Sequence, residues 1–387
     1  MKSSTKVSRR GLLAILYASI ALLAAGCASS EAGQRDRQSA ATTTAASPTD
    51  NGHQAWSERL VDGPSKPEDL IALPGTDFLV VSGMSADPGK ESGGAGHLYL
   101  MDKTSEELTE IWPERDHSIE LDEELYKDCP APPEPGIASP HGIGLQPQDD
   151  GSSRLFVVNH GGRESVEVFT LEPSAGKGVK VKWIGCELLP EGTFGNGVVP
   201  DPASDGFYVT NYFDPANQMA GFEAAFAGDK IGYVLHSDPA TGWQKVPGSE
   251  MSAPSGIAVS ADGADLYVAG WGSRDVRKFA VGGNNGDPQV LKLDFMPDNL
   301  RWTTDDALLV TGQDIDSFKT FQGYLTGQVE PRPGYQVMKI DTEKFTAQEI
   351  ASGTSKGFAS PTTAIQVDGD IFIGSVSGDK IMRLSRP

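Results

Sequence analysis

Short apolar runs, each introduced by a polar, glycine- or proline-bearing opening, recur six times along this chain. The openings read PEDLIAL from Pro67, PHGIGL from Pro140, GNGVVPD from Gly195, PSGIAVS from Pro254, PDNLRW from Pro297 and PTTAIQV from Pro361. After a turn each is followed by an apolar run: FLVVSG, RLFVVNH, GFYVTN, DLYVAG, ALLVTG and IFIGSV. Strand-rich repeats of roughly forty to seventy residues predict an all-β fold, a six-bladed β-propeller with four-stranded blades around a central channel. In that fold each opening starts an innermost strand, so one position per blade converges on the axis. Those positions are Glu68, His141, Asn196, Ser255, Asp298 with Asn299, and Thr362 or Thr363. No segment has a sustained helical period. The one helical candidate, 219–226 (MAGFEAAF), is placed in an inter-blade loop.

Composition agrees with many tight turns: there are 45 glycines. The N-terminal segment stands apart. Ser8-Arg9-Arg10 precedes an apolar run from Gly11 to Ala25 that is short for a membrane span and ends in small residues before Cys27. Residues 1–27 therefore resemble a bacterial lipoprotein signal, with Cys27 acylated as the first mature residue. The paired arginines leave both the twin-arginine and the general export route open. Residues 28–55 are small and polar, a flexible tether, and 56–387 form the propeller. The expected location is the cell envelope, with the lipid as the only membrane contact. A net charge of −21 repels nucleic acid and favours cations. Cys129 and Cys186 remain as an even pair in an exported chain, either disulfide-bonded or two free thiols.

The converging positions are mostly oxygen donors plus one histidine. Calcium takes six to eight oxygens, and two carboxylates with two amides supply charge without excess. Glu68, Asn196, Ser255, Asp298 and Asn299 are the candidate ligands. His141, beside them, and His160, at the end of the next strand, can meet across an antiparallel pair and activate water. No Gly-x-Ser-x-Gly elbow is present, and the cysteines lack zinc spacing, so a serine triad and a zinc centre are not expected. His53, His97, His117 and His236 are read as structural.

Taken in order, PEDLIALP, SPHGIGL, LFVVNH, VTNYFDP, PSGIAVSADG, PDNL and IFIGSV resemble the paraoxonase/arylesterase family from about Glu68 to the C-terminus. That family is related to gluconolactonase-like and strictosidine-synthase-like propellers. The resemblance implies a calcium-dependent hydrolase of lactones and aryl esters, which are small molecules; the chain is expected to be a monomer. It implies catalytic roles for His141 and His160, and a catalytic calcium at Glu68, Asn196, Asp298 and Asn299. It also implies a second, structural calcium at Asp69 and the backbone carbonyl of Ile143. The chain departs from the family in several places. Ser255 replaces an asparagine, Gly197 replaces an aspartate of the second calcium site, and Tyr212-Phe213 replaces an Asp-His pair. The second ion is therefore short of a carboxylate. Tyr212 and Phe213, in a strand-end loop, are the candidates for an apolar substrate wall. Those losses motivate one alternative, a propeller that binds a partner or envelope ligand without turnover; a further alternative is a sugar lactonase of the gluconolactonase type, which would prefer polar over alkyl-chain lactones.

Overall fold

The computed structural model describes residues 56–85, 94–114, 117–174, 178–282, 287–326, 328 and 334–386. The export signal 1–27, its Cys27 and the tether 28–55 lie outside the described residues.

The chain enters as β1 (Ser57–Asp62). Blade one is β2 (Pro67–Ala72), β3 (Phe78–Gly83), β4 (His97–Asp102) and β5 (Leu108–Trp112). A short β6 (His117–Ile119) precedes blade two, which is β7 (Pro140–Pro147), β8 (Ser153–Asn159), β9 (Ser165–Ser174) and β10 (Gly178–Leu188). Blade three is β11 (Gly195–Pro200), β12 (Phe207–Asn211), β13 (Tyr233–Asp238) and β14 (Gly242–Lys245). Blade four is β15 (Pro254–Val259), β16 (Asp265–Gly270), β17 (Asp275–Ala280) and β18 (Gln289–Lys292). Blade five is β19 (Met296–Trp302), β20 (Leu308–Gln313), β21 (Tyr335–Asp341) and β22 (Thr346–Gly353). Blade six supplies only β23 (Pro361–Val367), β24 (Asp370–Ser375) and β25 (Lys380–Ser385); β1 completes it, antiparallel to β25 with Leu60 opposite Met382. The ring is thus closed by hydrogen bonds between the two ends of the folded segment. Blade two carries a fifth strand, because β6 adds in parallel to β10.

The apolar runs were legible because second strands are sandwiched between neighbouring blades. Leu79, Val80 and Val81 of β3 and Leu155 to Val158 of β8 are fully buried, so both faces are apolar and alternation disappears. Each such side chain contributes about 1.5–3 kcal/mol. Outer strands such as β18 and β22 are largely exposed and carry no comparable signal.

Two helices interrupt the blades. α1 (Gln218–Ala227) covers the candidate at 219–226, but it lies within blade three, between β12 and β13, and not between blades. α2 (Phe318–Leu325) occupies the same place in blade five. Its capping serine, Ser317, accepts from the Thr320 amide.

Every inner strand is broken at the same point. The register slips by one residue between Pro67 and Asp69, Pro140 and Ile143, Gly195 and Val198, Pro254 and Ile257, Pro297 and Leu300, and Pro361 and Ala364. Each bulge contains the converging residue of its blade, and a bulge re-aims the side chains it holds. Glycines follow three of those residues. A Cβ on Gly142 would lie 2.1 Å from the Asn196 carbonyl oxygen, and one on Gly256 would lie 2.5 Å from that of Asp298. Only glycine permits neighbouring inner strands to approach so closely. Cys129 and Cys186 are disulfide-bonded, tying the loop before blade two to β10. Closing a loop of 57 residues stabilises the fold by about 4 kcal/mol in the chain-entropy account.

Candidate active site and metal centre

Glu68, Asp298 and Asn299 meet across the channel, and the bulge holding Asn196 packs against that of His141. Glu68 is 1% exposed, and its Oε1 accepts from the Asn299 amide nitrogen at 2.8 Å. The Asn299 carbonyl oxygen is thereby left as a donor toward a cation. Asp298 Oδ2 accepts from the Gln313 amide at 3.1 Å, and Gln313 is itself held by the Trp271 indole N–H at 2.6 Å. Glu68 Oε2 and Asn196 Oδ1 are buried acceptors with no hydrogen-bond partner. The two remaining ring positions face their neighbours. The Ser255 hydroxyl donates to the Pro297 carbonyl at 3.1 Å, and Thr362 donates to the Glu68 carbonyl at 2.6 Å, stitching adjacent blades together.

Burial pushes the Asp298 carboxyl well above the usual carboxylate range, and the negative charge of Glu68 adds to that. Two like charges in a dry channel are costly unless something positive joins them. Among the described residues no three acidic, histidine or cysteine side chains gather as a metal cluster. A donor set of two carboxylates and amide oxygens fits calcium, which binds carbonyl oxygens readily. The orphaned oxygens of Glu68 and Asn196 are what such an ion would satisfy.

The histidines lie against this ring. His141 Nε2 is 3.6 Å from Glu68 Oε2, and its Nδ1 is 2.8 Å from His160 Nε2. His160 Nδ1 in turn contacts both oxygens of Glu164 at 2.9 and 3.0 Å. A carboxylate only accepts, so Glu164 fixes the proton on His160 Nδ1. His160 Nε2 must then accept from His141 Nδ1–H, which leaves the lone pair of His141 on Nε2, toward the ring. Burial pulls the His141 pKa down, but the Glu68 carboxylate more than offsets this and holds the imidazole above its ordinary value. Glu164 was not visible in the sequence as a functional residue; its signal is the i,i+4 spacing from His160 in a tight loop. Replacing Glu164 by Ala should lower kcat roughly 10–100-fold with KM unchanged, and Glu164→Asp should retain most of the activity. Steady-state kinetics on the two variants checks this.

Asp69 and Ile143 are not part of the ring. Asp69 Oδ2 accepts from the Ile143 amide at 2.9 Å and from the Arg301 guanidinium, which also donates to the Ile143 carbonyl at 3.0 Å. The oxygens expected at a second calcium do not fit one, because a guanidinium already fills their donor positions. Tyr212 and Phe213 also differ from expectation. They are 6% and 1% exposed, covered by Phe222 of α1, and so back an aromatic wall instead of lining it. Phe213 stacks on Phe194 at 5.5 Å, and Phe194 stacks on His160 at 4.2 Å. The half-buried Phe194, Phe222 and Phe321 are the rings nearer solvent.

The profile of the family described as Arylesterase matches residues 66–381, a stretch that spans all six bulges and both histidines. The chain belongs to the arylesterase family. Among its curated relatives, human serum paraoxonase/lactonase 3 is 27% identical over 80% of this chain and 83% of its own length. Chicken serum paraoxonase/arylesterase 2 is 26% identical over the same shares. Among solved structures, a luciferin-regenerating enzyme superposes with a TM-score of 0.51 at 11% identity, covering 85% of this chain and 95% of that one. That likeness concerns the fold alone.

Proposed function

We propose that this protein hydrolyses lactones or aryl carboxylic esters, using one calcium ion held by Glu68, Asn196, Asp298 and Asn299. The single observation carrying this reading is the unbroken chain Glu164–His160–His141, which ends beside the Glu68 carboxylate. Membership of the arylesterase family supports it. So do relatives named paraoxonase/lactonase and paraoxonase/arylesterase.

When bound, calcium supplies positive charge where the carbonyl oxygen of the substrate becomes negative. His141 acts as general base: its Nε2 takes a proton from water while the water oxygen bonds to the acyl carbon. His160 accepts from His141 Nδ1–H, so the positive charge on the imidazolium is shared along the chain toward Glu164. The same proton is returned to the departing alkoxide or phenoxide oxygen as the acyl–oxygen bond breaks. Asn299 orients Glu68, and Gln313 with Trp271 orients Asp298. The aromatic wall at Phe194, Phe222 and Phe321 takes the apolar part of the substrate and excludes bulk water. Export and lipid attachment at Cys27 belong to the same proposal, on the N-terminal sequence alone.

A panel of aliphatic lactones, sugar lactones and aryl esters, offered to the intact protein with calcium, tests the reading. Turnover of alkyl lactones or aryl esters is the expected result. A clear preference for sugar lactones favours the gluconolactonase-like alternative, and no turnover of any member favours a binding platform.

A further inference from the structure

The two strands that carry Glu68 and Asn299, β2 and β19, belong to blades one and five and are not neighbours in the ring. They are nevertheless joined twice across the channel. The upper link is Asn299 to Glu68. The lower link is made by Arg301, two residues further along β19. Its Nε donates to the Leu70 carbonyl and its Nη1 to the Leu300 carbonyl, both at 2.9 Å. Its Nη2 donates to the Ile143 carbonyl at 3.0 Å and to Asp69 Oδ2. Arg301 is 9% exposed and Asp69 1%.

A buried positive group surrounded by one carboxylate and three carbonyl oxygens, drawn from three blades, has the donor environment of a hard cation. Here that cation is part of the chain. We propose that Arg301 is a built-in cation that neutralises Asp69 and ties blades one, two and five, so that this propeller holds one calcium ion and not two. The guanidinium's role concerns what holds the channel together, while the count of one rests on the channel calcium proposed above, so a count of zero would overturn that reading and leave the Arg301 assignment to the melting experiment.

Two further observations support it. A second ion would need another carboxylate, and position 197, the candidate source, cannot supply it. A Cβ there would lie 2.7 Å from the Ser255 carbonyl oxygen and 3.1 Å from the Gly256 Cα, so the packing of blades three and four excludes any side chain. Beyond the guanidinium the channel turns apolar. A cavity of about 230 Å³ lined by Ile71, Leu145, Val198, Ile257, Leu300 and Arg301 opens there, with no carboxylate among its walls. Arginine suits such a place better than a metal ion: it cannot dissociate or be chelated, and its planar fork matches several oxygens at once.

Calcium bound per chain, counted by elemental analysis after stripping the intact protein and dialysing it against calcium, is expected to be one; a count of two overturns the proposal. Thermal melting in EDTA gives an independent readout. Arg301→Met leaves the buried Asp69 without its cationic partner and should lower the melting temperature by roughly 5 °C. Adding Asp69→Asn to that variant should recover most of the loss. An Arg301→Met protein that melts like the wild type overturns the assignment. Should that variant fail to fold, the wild-type calcium count still decides.

Discussion

Replacing His141 by Gln lowers kcat for a responsive lactone or aryl ester by about 10²–10⁴-fold, with the melting temperature and the calcium affinity unchanged. Gln keeps an amide near the volume of the imidazole and can still bond His160, but it cannot take a proton at neutral pH. The loss belongs to the chemical step, so kcat and kcat/KM fall together. His160→Gln should cost less, because the base survives and only the means of sharing its charge is lost. A His141→Gln protein that turns over like the wild type would remove the histidine chain from the mechanism. Steady-state kinetics beside thermal melting separates this result from simple unfolding.

The second large effect is expected at Glu68. Glu68→Gln preserves shape and the contact to Asn299, yet removes one of the two carboxylates facing the channel. Ligand charge is a main determinant of calcium affinity, so the dissociation constant should rise by roughly 100-fold or more. Turnover at limiting calcium should vanish and return only in part at millimolar calcium. Isothermal titration of the variant measures the first effect directly, and assays across a calcium series measure the second. Unaltered calcium binding by Glu68→Gln would mean that the ion, if bound, sits elsewhere. The orphaned Glu68 Oε2 and the upward push on Asp298 argue against that outcome.

These residues could be named from sequence because they sit at one repeated place. Every inner strand has a proline or glycine at its first or second residue and then bulges, so Glu68, His141, Asn196 and Asp298-Asn299 mark themselves by phase alone. The six apolar runs were legible for a related reason: strands packed on both faces show no alternation to blur. What remained hidden depends on long-range geometry. β1 carries a mostly exposed pattern, and its partner lies at the other end of the chain, so nothing local announces the closure of blade six. β6 is three residues long and pairs in parallel with a strand far downstream. α2 did carry a local signal, a serine cap followed by Phe318, Phe321 and Tyr324 at helical spacing, but it is only two turns long. Glu164 reads as one more loop acid, and Arg301 as an odd cation inside an apolar strand. Only the groups that meet Arg301, the Asp69 carboxylate and Leu70 carbonyl of blade one and the Ile143 carbonyl of blade two, reveal its work. A strand-end position reads as solvent-facing wall for Tyr212-Phe213, but Phe222 of α1 packs on both rings, a long-range contact the local sequence does not announce.

The most direct test of the central claim is a calcium titration of turnover on metal-stripped protein. With the ion removed, hydrolysis should fall to background and then return along a one-site curve that saturates at one equivalent. Undiminished turnover in the stripped protein would contradict a channel calcium flanked by His141.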